Sequence, residues 1–318
     1  MTWLSWREQR TETLLALGLL ALLAALLVPV GLHLETLYRQ DNVAACLTQA
    51  TEACHQAMGN FGNGAGALRS VLTWLTLLPG LLGAALAAPI ILDLESGASV
   101  FAWTQGVTRT RWLATRLGVA LLTSLAAAGA LTLLVTWYRR PLDSAFGRFD
   151  NGVFDLEGTV PLAYAAFALG LGLAVGVVWR RTALSLIVGF LAYVGSRVFV
   201  DSWLRERYEA PLGATWGIRQ PEPALRGAWI LSSGPSDKAG HPFTGGFQVI
   251  ESCARGVGGG IKSVDPACLA RHGAGFNHAI YQPASRFWLF QGIETALFGG
   301  LAIVLIGFAA WWLLSRVE

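Results

Sequence analysis

Arg197, Asp201 and Glu294 stand within runs of apolar residues. Lipid does not solvate a charge, so such residues mark a pathway or a clamp. Arg197 and Asp201 are four residues apart, about one helical turn, and can pair directly. Glu294 would complete the cluster from a later run. A clamp holding two helices together and a gate or substrate contact both fit this pattern. The four cysteines, Cys46, Cys54, Cys253 and Cys268, form two sequence-local pairs. Three pairings can be drawn, and the ease of closing short loops favours Cys46–Cys54 with Cys253–Cys268. A metal centre using these sulfurs with His55 or His272 competes, yet no C-x2-C or H-x3-H spacing accompanies them, so no metal is expected. The stretch 256–263, GVGGGIKS, looks at first like a phosphate loop, but Ile261 stands where a glycine must precede the lysine. No G-x-S-x-G, H-E-x-x-H or Ser-Lys pattern appears in an apolar run, and the five histidines are scattered. The chain is therefore expected to carry no catalytic residue and to bind no cofactor itself.

What must position these side chains is a bundle of membrane helices. Of 318 residues, 54% are apolar and only 14% charged, more apolar surface than a water-soluble core of this size encloses but natural in a bilayer. Six stretches reach the roughly 20 residues needed to cross hydrocarbon: 14–34, 71–92, 117–138, 160–179, 182–204 and 287–314. The first is read as a true span rather than a cleaved signal, being too long and lacking an A-x-A site. Pro29, Pro79, Gly83, Pro89, Gly170, Gly172 and Gly176 within them permit kinks and close helix contacts. The net charge of +3 is dispersed and gives no nucleic-acid signal. The expected fold is an all-α integral membrane protein of six transmembrane helices. A membrane domain over 1–204 is followed by a mixed extracellular domain over 205–286, then by the sixth span and C-terminus over 287–318.

Six spans place both termini on one face. Its short loops hold Arg7, Arg10, Arg109, Arg111, Arg116, Arg180, Arg181 and Arg316, against Arg39, Arg69, Arg139, Arg140 and Arg148 opposite. This excess favours cytoplasmic termini. All four cysteines then fall on the outer, oxidising side.

On the inner side, residues 1–12 read as an amphipathic helix on the leaflet. Trp3, Trp6, Arg7 and Arg10 share one flank at 100° per residue; a solvated tail is the alternative. Between the second and third spans, Asp93 and Glu95 end one helix and Gly97 breaks it. A short apolar helix near 99–105 follows, and Thr108 or Thr110 can cap the third span. Phe101 and Trp103, exposed on such a knob, would serve to contact a partner.

The run Ala88-Pro89, Asp93, Glu95, Gly97, Ala102-Trp103-Thr104-Gln105-Gly106-Val107-Thr108-Arg109 and Arg111-Trp112-Leu113-Ala114 resembles actinobacterial permeases of type-2 ATP-binding-cassette (ABC) exporters. So do Thr2-Trp3-Leu4-Ser5-Trp6-Arg7 and Phe154-Asp155-Leu156-Glu157-Gly158. The resemblance covers most of 1–204. It implies that two permeases, identical or homologous, pair in the membrane and bind cytoplasmic ATPase subunits, which hold the ATP and Mg. It further implies that contact is made by an N-terminal interface helix, here 1–12 with Trp3, Trp6, Arg7 and Arg10. The second contact would be a coupling helix near 95–109, here with Glu95, Phe101, Trp103, Gln105, Arg109 and Arg111. A translocation path lined by the first, second and fifth spans is implied as well. With few charges in the spans, an amphipathic substrate (a drug, an antibiotic or a lipid-like molecule) is expected. A membrane sensor or scaffold displaying the 205–286 domain is the alternative.

Overall fold

The computed structural model describes residues 2–47, 51–99, 103, 108–149, 151–218, 220, 225–242, 251–255 and 263–316. In chain order the helices are α1 (Thr2–Gln40), α2 (Val43–Cys46), α3 (Glu52–Leu75), α4 (Leu78–Glu95), α5 (Arg109–Phe146), α6 (Asn151–Phe154), α7 (Val160–Trp179), α8 (Thr182–Phe199), α9 (Pro266–Arg271) and α10 (Phe287–Arg316). Among the described residues, six helical stretches are long and apolar enough to cross a membrane: Arg10–Gln40, Leu72–Glu95, Arg109–Phe146, Val160–Trp179, Thr182–Arg207 and Ala284–Arg316. The chain divides into two compact units, Met1–Phe146 with Asn151–Ser202 and Trp288–Glu318, and Gly147–Asp150 with Trp203–Phe287.

In the first unit α4 and α7 are the enclosed spans, about two thirds buried, while under a third of α1, α8 and α10 is covered. Close packing at the centre depends on small residues. A β-carbon on Gly83 of α4 would lie 2.0 Å from the Ala165 carbonyl oxygen of α7, and one on Gly176 of α7 would lie 2.6 Å from Ile91. Gly80 accommodates the ring of the fully buried Tyr193 from α8.

Two expectations are corrected here. Residues 1–12 do not form a separate helix on the leaflet: α1 runs unbroken from Thr2 to Gln40, because neither Gly nor Pro interrupts the chain before Gly18. Arg10 is exposed, and the side chains of Trp3, Trp6 and Arg7 lie outside the described residues, as does Met1. The segment read as a loop between the first two spans is largely helical. α3 fills Glu52–Leu75, capped by the Thr51 hydroxyl, which accepts from Cys54 N–H at 3.3 Å. The Cys46–Cys54 disulfide joins the end of α2 to the start of α3.

The second unit holds a three-stranded antiparallel sheet, β1 (Leu212–Gly217), β2 (Trp229–Ser236) and β5 (Phe276–Gln282), with β5 central. A small pair, β3 (Ala254–Arg255) and β4 (Ser263–Val264), leads into α9. Cys253 and Cys268 are bonded and pack with Leu269 and Ala274. Their sulfurs and a His272 ring nitrogen lie within 4.8 Å of one another, but each sulfur is occupied by the other, leaving no thiolate to ligate a metal. Most of the glycine stretch 256–263 lies outside the described residues. The short connection after α5 belongs to this unit: Phe149 packs on Trp229 and Phe287, and Arg148 lies over the Phe287 ring.

Candidate functional site

Two places in the first unit concentrate its polar chemistry. One is where α7 begins. The stretch from Asp155 to Thr159 is not helical, yet Asp155, Leu156 and Glu157 are buried, as is Phe154 just before them. Irregular backbone within a membrane unit persists only where protein groups satisfy it. Gln291 of α10 does so, its Oε1 accepting from the backbone N–H of Thr159 (3.0 Å) and Val160 (3.1 Å) while its Nε2 donates to the Phe154 carbonyl (2.8 Å). One side chain thus caps α7 from another helix. Gly158 has φ +70°, and a β-carbon there would lie 2.5 Å from Gln291 Oε1, so the turn requires glycine on both counts.

Around this turn the charges interlock. Arg197 of α8 is buried, forms an ion pair with Asp155, and donates from Nη1 to the Thr76 carbonyl at 2.6 Å. Its guanidinium lies 4.6 Å from the centre of the Tyr164 ring. The Tyr164 hydroxyl is hydrogen-bonded to Asp155 Oδ1 (2.9 Å) and to Glu294. On the α5 side, Arg139 lies 3.1 Å from Asp143 and 3.4 Å from the fully buried Glu157. Arg197 was expected to pair with Asp201 or Glu294; the partner found is Asp155, which no argument from helical spacing could select. Glu294 joins through Tyr164, and Asp201 lines the same cleft as Arg197 and Asp155. Asp155, Glu157, Tyr164 and Gln291 escaped notice as members of the cluster. The one signal for them was a pair of acids, Asp155 and Glu157, set among apolar residues just before a span.

The second place is the end of α4 on the face carrying the termini. Glu95 Oε2 accepts the backbone N–H of Thr182, the first residue of α8, at 2.7 Å. Asp93 forms an ion pair of 2.8 Å with the buried Arg116 of α5. Gly97, with φ +75°, ends the helix as expected. Thr108 provides the cap of α5, its hydroxyl accepting from Arg111 N–H at 3.4 Å. Trp103 is the one described residue of 100–107, and it points inward. It packs against the core formed by α4, α5, α7 and α10, meets Trp112 edge-on at 5.9 Å, and lies under the Arg109 guanidinium at 4.8 Å. The expectation of a freely exposed Trp103 is thereby corrected: the ring is half-buried, its apolar face set against the chain's own core. Phe101 and Gln105 lie outside the described residues, and Arg111 is exposed.

Comparison with known proteins gives one result: the family model described as "ABC-2 membrane transporter related" matches residues 17–205. No curated protein and no solved structure matches.

Proposed function

The chain belongs to the ABC-2 membrane transporter related family, and on that premise we infer that it is the permease subunit of an ATP-driven exporter. In this reading two permeases form the path, and separate cytoplasmic ATPase subunits bind ATP and Mg and drive them. The termini face the cytoplasm, and the substrate is amphipathic: a drug, an antibiotic or a lipid-like molecule. The observation that carries the reading is the Glu95–Thr182 hydrogen bond. A permease powered by another protein's hydrolysis needs a loop whose displacement reaches the spans. Here the last residue of the second span, from which that loop departs, is fastened directly to the start of the fifth. Trp103 ties that loop to the membrane core, so a push on it moves helices rather than a slack connection. The long apolar rows left uncovered on α1 and α8, such as Leu15, Leu22 and Leu26 or Ile187 and Leu191, suit a second permease and the surrounding lipid.

Affinity purification of the tagged chain from native membranes tests this, with ATP-dependent transport measured in inverted vesicles. Wild type should carry an ATPase with it, and Trp103→Ala should weaken that association and transport, while Lys238→Ala, in the second unit, should not. If no ATPase accompanies the wild type, the second reading prevails: a sensor or scaffold displaying the second unit, which has its own sheet and disulfide.

A further inference from the structure

Among the described residues, one group of metal-ligating side chains converges in the second unit: Cys253, Cys268 and His272, with both sulfurs and a ring nitrogen within 4.8 Å of one another. While the Cys253–Cys268 bond is closed, each sulfur is held by the other. The backbone that carries the three is fixed independently of that bond. The Cys253 carbonyl accepts from the Asp265 N–H at 2.8 Å, and β3 pairs with β4 just beyond Cys253. The Asp265 carboxylate caps α9 by accepting the Ala267 N–H at 2.9 Å. Cys268 lies within α9 and His272 at its end, four residues on, so the two share a flank. The His272 N–H and the Ala274 N–H both donate to the Leu269 carbonyl at 3.0 Å, and Leu269 and Ala274 pack against Cys253. Opening the S–S bond therefore leaves all three side chains in place. Burial falls off in one direction: Cys253 is buried, Cys268 half-buried and His272 exposed. A small reductant reaches the bond from the Cys268 side, and a ligand position beside His272 stays open to water.

We propose that this is a redox-gated zinc site, closed while the disulfide stands and formed when a dithiol reduces it. A thiolate of the dithiol attacks Cys268 Sγ, and the S–S electron pair leaves on Cys253 Sγ. The dithiol's second sulfur then attacks the mixed disulfide, releasing the Cys268 thiolate and closing the dithiol into its own disulfide. Two electrons pass to the protein, and the dithiol's two protons go to water as zinc takes the thiolates. Two thiolates neutralise Zn2+, His272 supplies the third ligand and water the fourth. Ligands on a tetrahedral zinc ion lie roughly 3.5–3.8 Å apart at bond lengths of about 2.0–2.3 Å, so atoms already within 4.8 Å need only a small shift. The proposal stands apart from the exporter reading and gives the second unit a role of its own.

The full chain in lipid nanodiscs, reduced with a phosphine and desalted without oxygen, tests it with Co2+ and Zn2+ as probes. Reduced wild type should bind Co2+ with the charge-transfer absorption of a cobalt thiolate, and Zn2+ should displace it; the oxidised chain should show neither. Cys253→Ser should abolish the absorption and Cys46→Ser should leave it. Losing a group that merely orients a ligand weakens metal binding about 10–100-fold, so His272→Ala should weaken it by at least about tenfold. His241→Ala, elsewhere in the second unit, should not. Hydrogen exchange over Pro266–Arg271 separates an ordered site from unfolded thiols, and it should slow when the metal is added. Thiols that the reductant cannot free, absent cobalt–thiolate absorption, exchange unchanged by metal, or affinity unchanged in His272→Ala each overturn the proposal and leave a disulfide that only staples the fold.

Discussion

Glu95 and Thr182 are 87 residues apart and joined by a hydrogen bond of 2.7 Å, so the last residue of α4 caps the first turn of α8. No side chain within α8 caps it: Arg181 occupies the N-cap position without a hydrogen bond from its own side chain. Glu95→Ala should therefore leave the Thr182 amide without its acceptor and loosen the first turn of α8. Hydrogen exchange followed by mass spectrometry should show faster exchange there and little change elsewhere, while Glu95→Gln, which retains an acceptor, should resemble wild type. Unchanged exchange in Glu95→Ala would mean that the bond does not hold the start of the fifth span.

Asp155 and Arg197 form a pair that must be removed together or not at all. Taking away one partner leaves a buried charge uncompensated, at a cost of about 3–5 kcal/mol. Asp155→Leu and Arg197→Leu should each lower the melting temperature sharply, as read by size-exclusion after heating. The double variant should recover much of the loss, because an apolar pair leaves no charge in the cluster. A double variant worse than either single one would show that the charges, rather than their balance, are needed.

Gly83 presses on the backbone of Ala165, and backbone cannot rotate aside as a side chain can. Gly83→Ala should force α4 and α7 apart and reduce the yield of folded protein several-fold. Gly129→Ala, in α5, is the control, because its β-carbon would meet no atom within 4 Å and alanine favours a helix by about 1 kcal/mol. Equal monodisperse yields would show that the α4–α7 crossing tolerates wider spacing.

The spans were legible because lipid imposes length and apolarity on every helix that crosses it. Local punctuation could be read as well: Gly97 breaks α4 and Thr108 caps α5. The disulfides followed from loop length. What could not be read depends on contacts distant in sequence. Arg197 and Asp155 are 42 residues apart on different elements, and Asp201 offered an equally good partner by spacing alone. Trp103 gives no hint in its neighbours of which way it turns. Glu52–Leu75 holds four glycines and several polar residues, which argue locally against a helix.

Gln291 holds the start of α7 although 132 residues of chain separate it from Thr159. A ribosome adding roughly 5–20 residues per second needs about 7–26 s to make that stretch. The fourth span thus enters the membrane with its first amides uncapped and its buried turn unsupported. Meanwhile most of the second unit, Trp203–Phe287, is still being made, because it comes after the fifth span and runs up to the start of α10. Insertion and assembly are therefore separate events in time. Any truncation before Trp288 removes the residue that completes a helix inserted long before it.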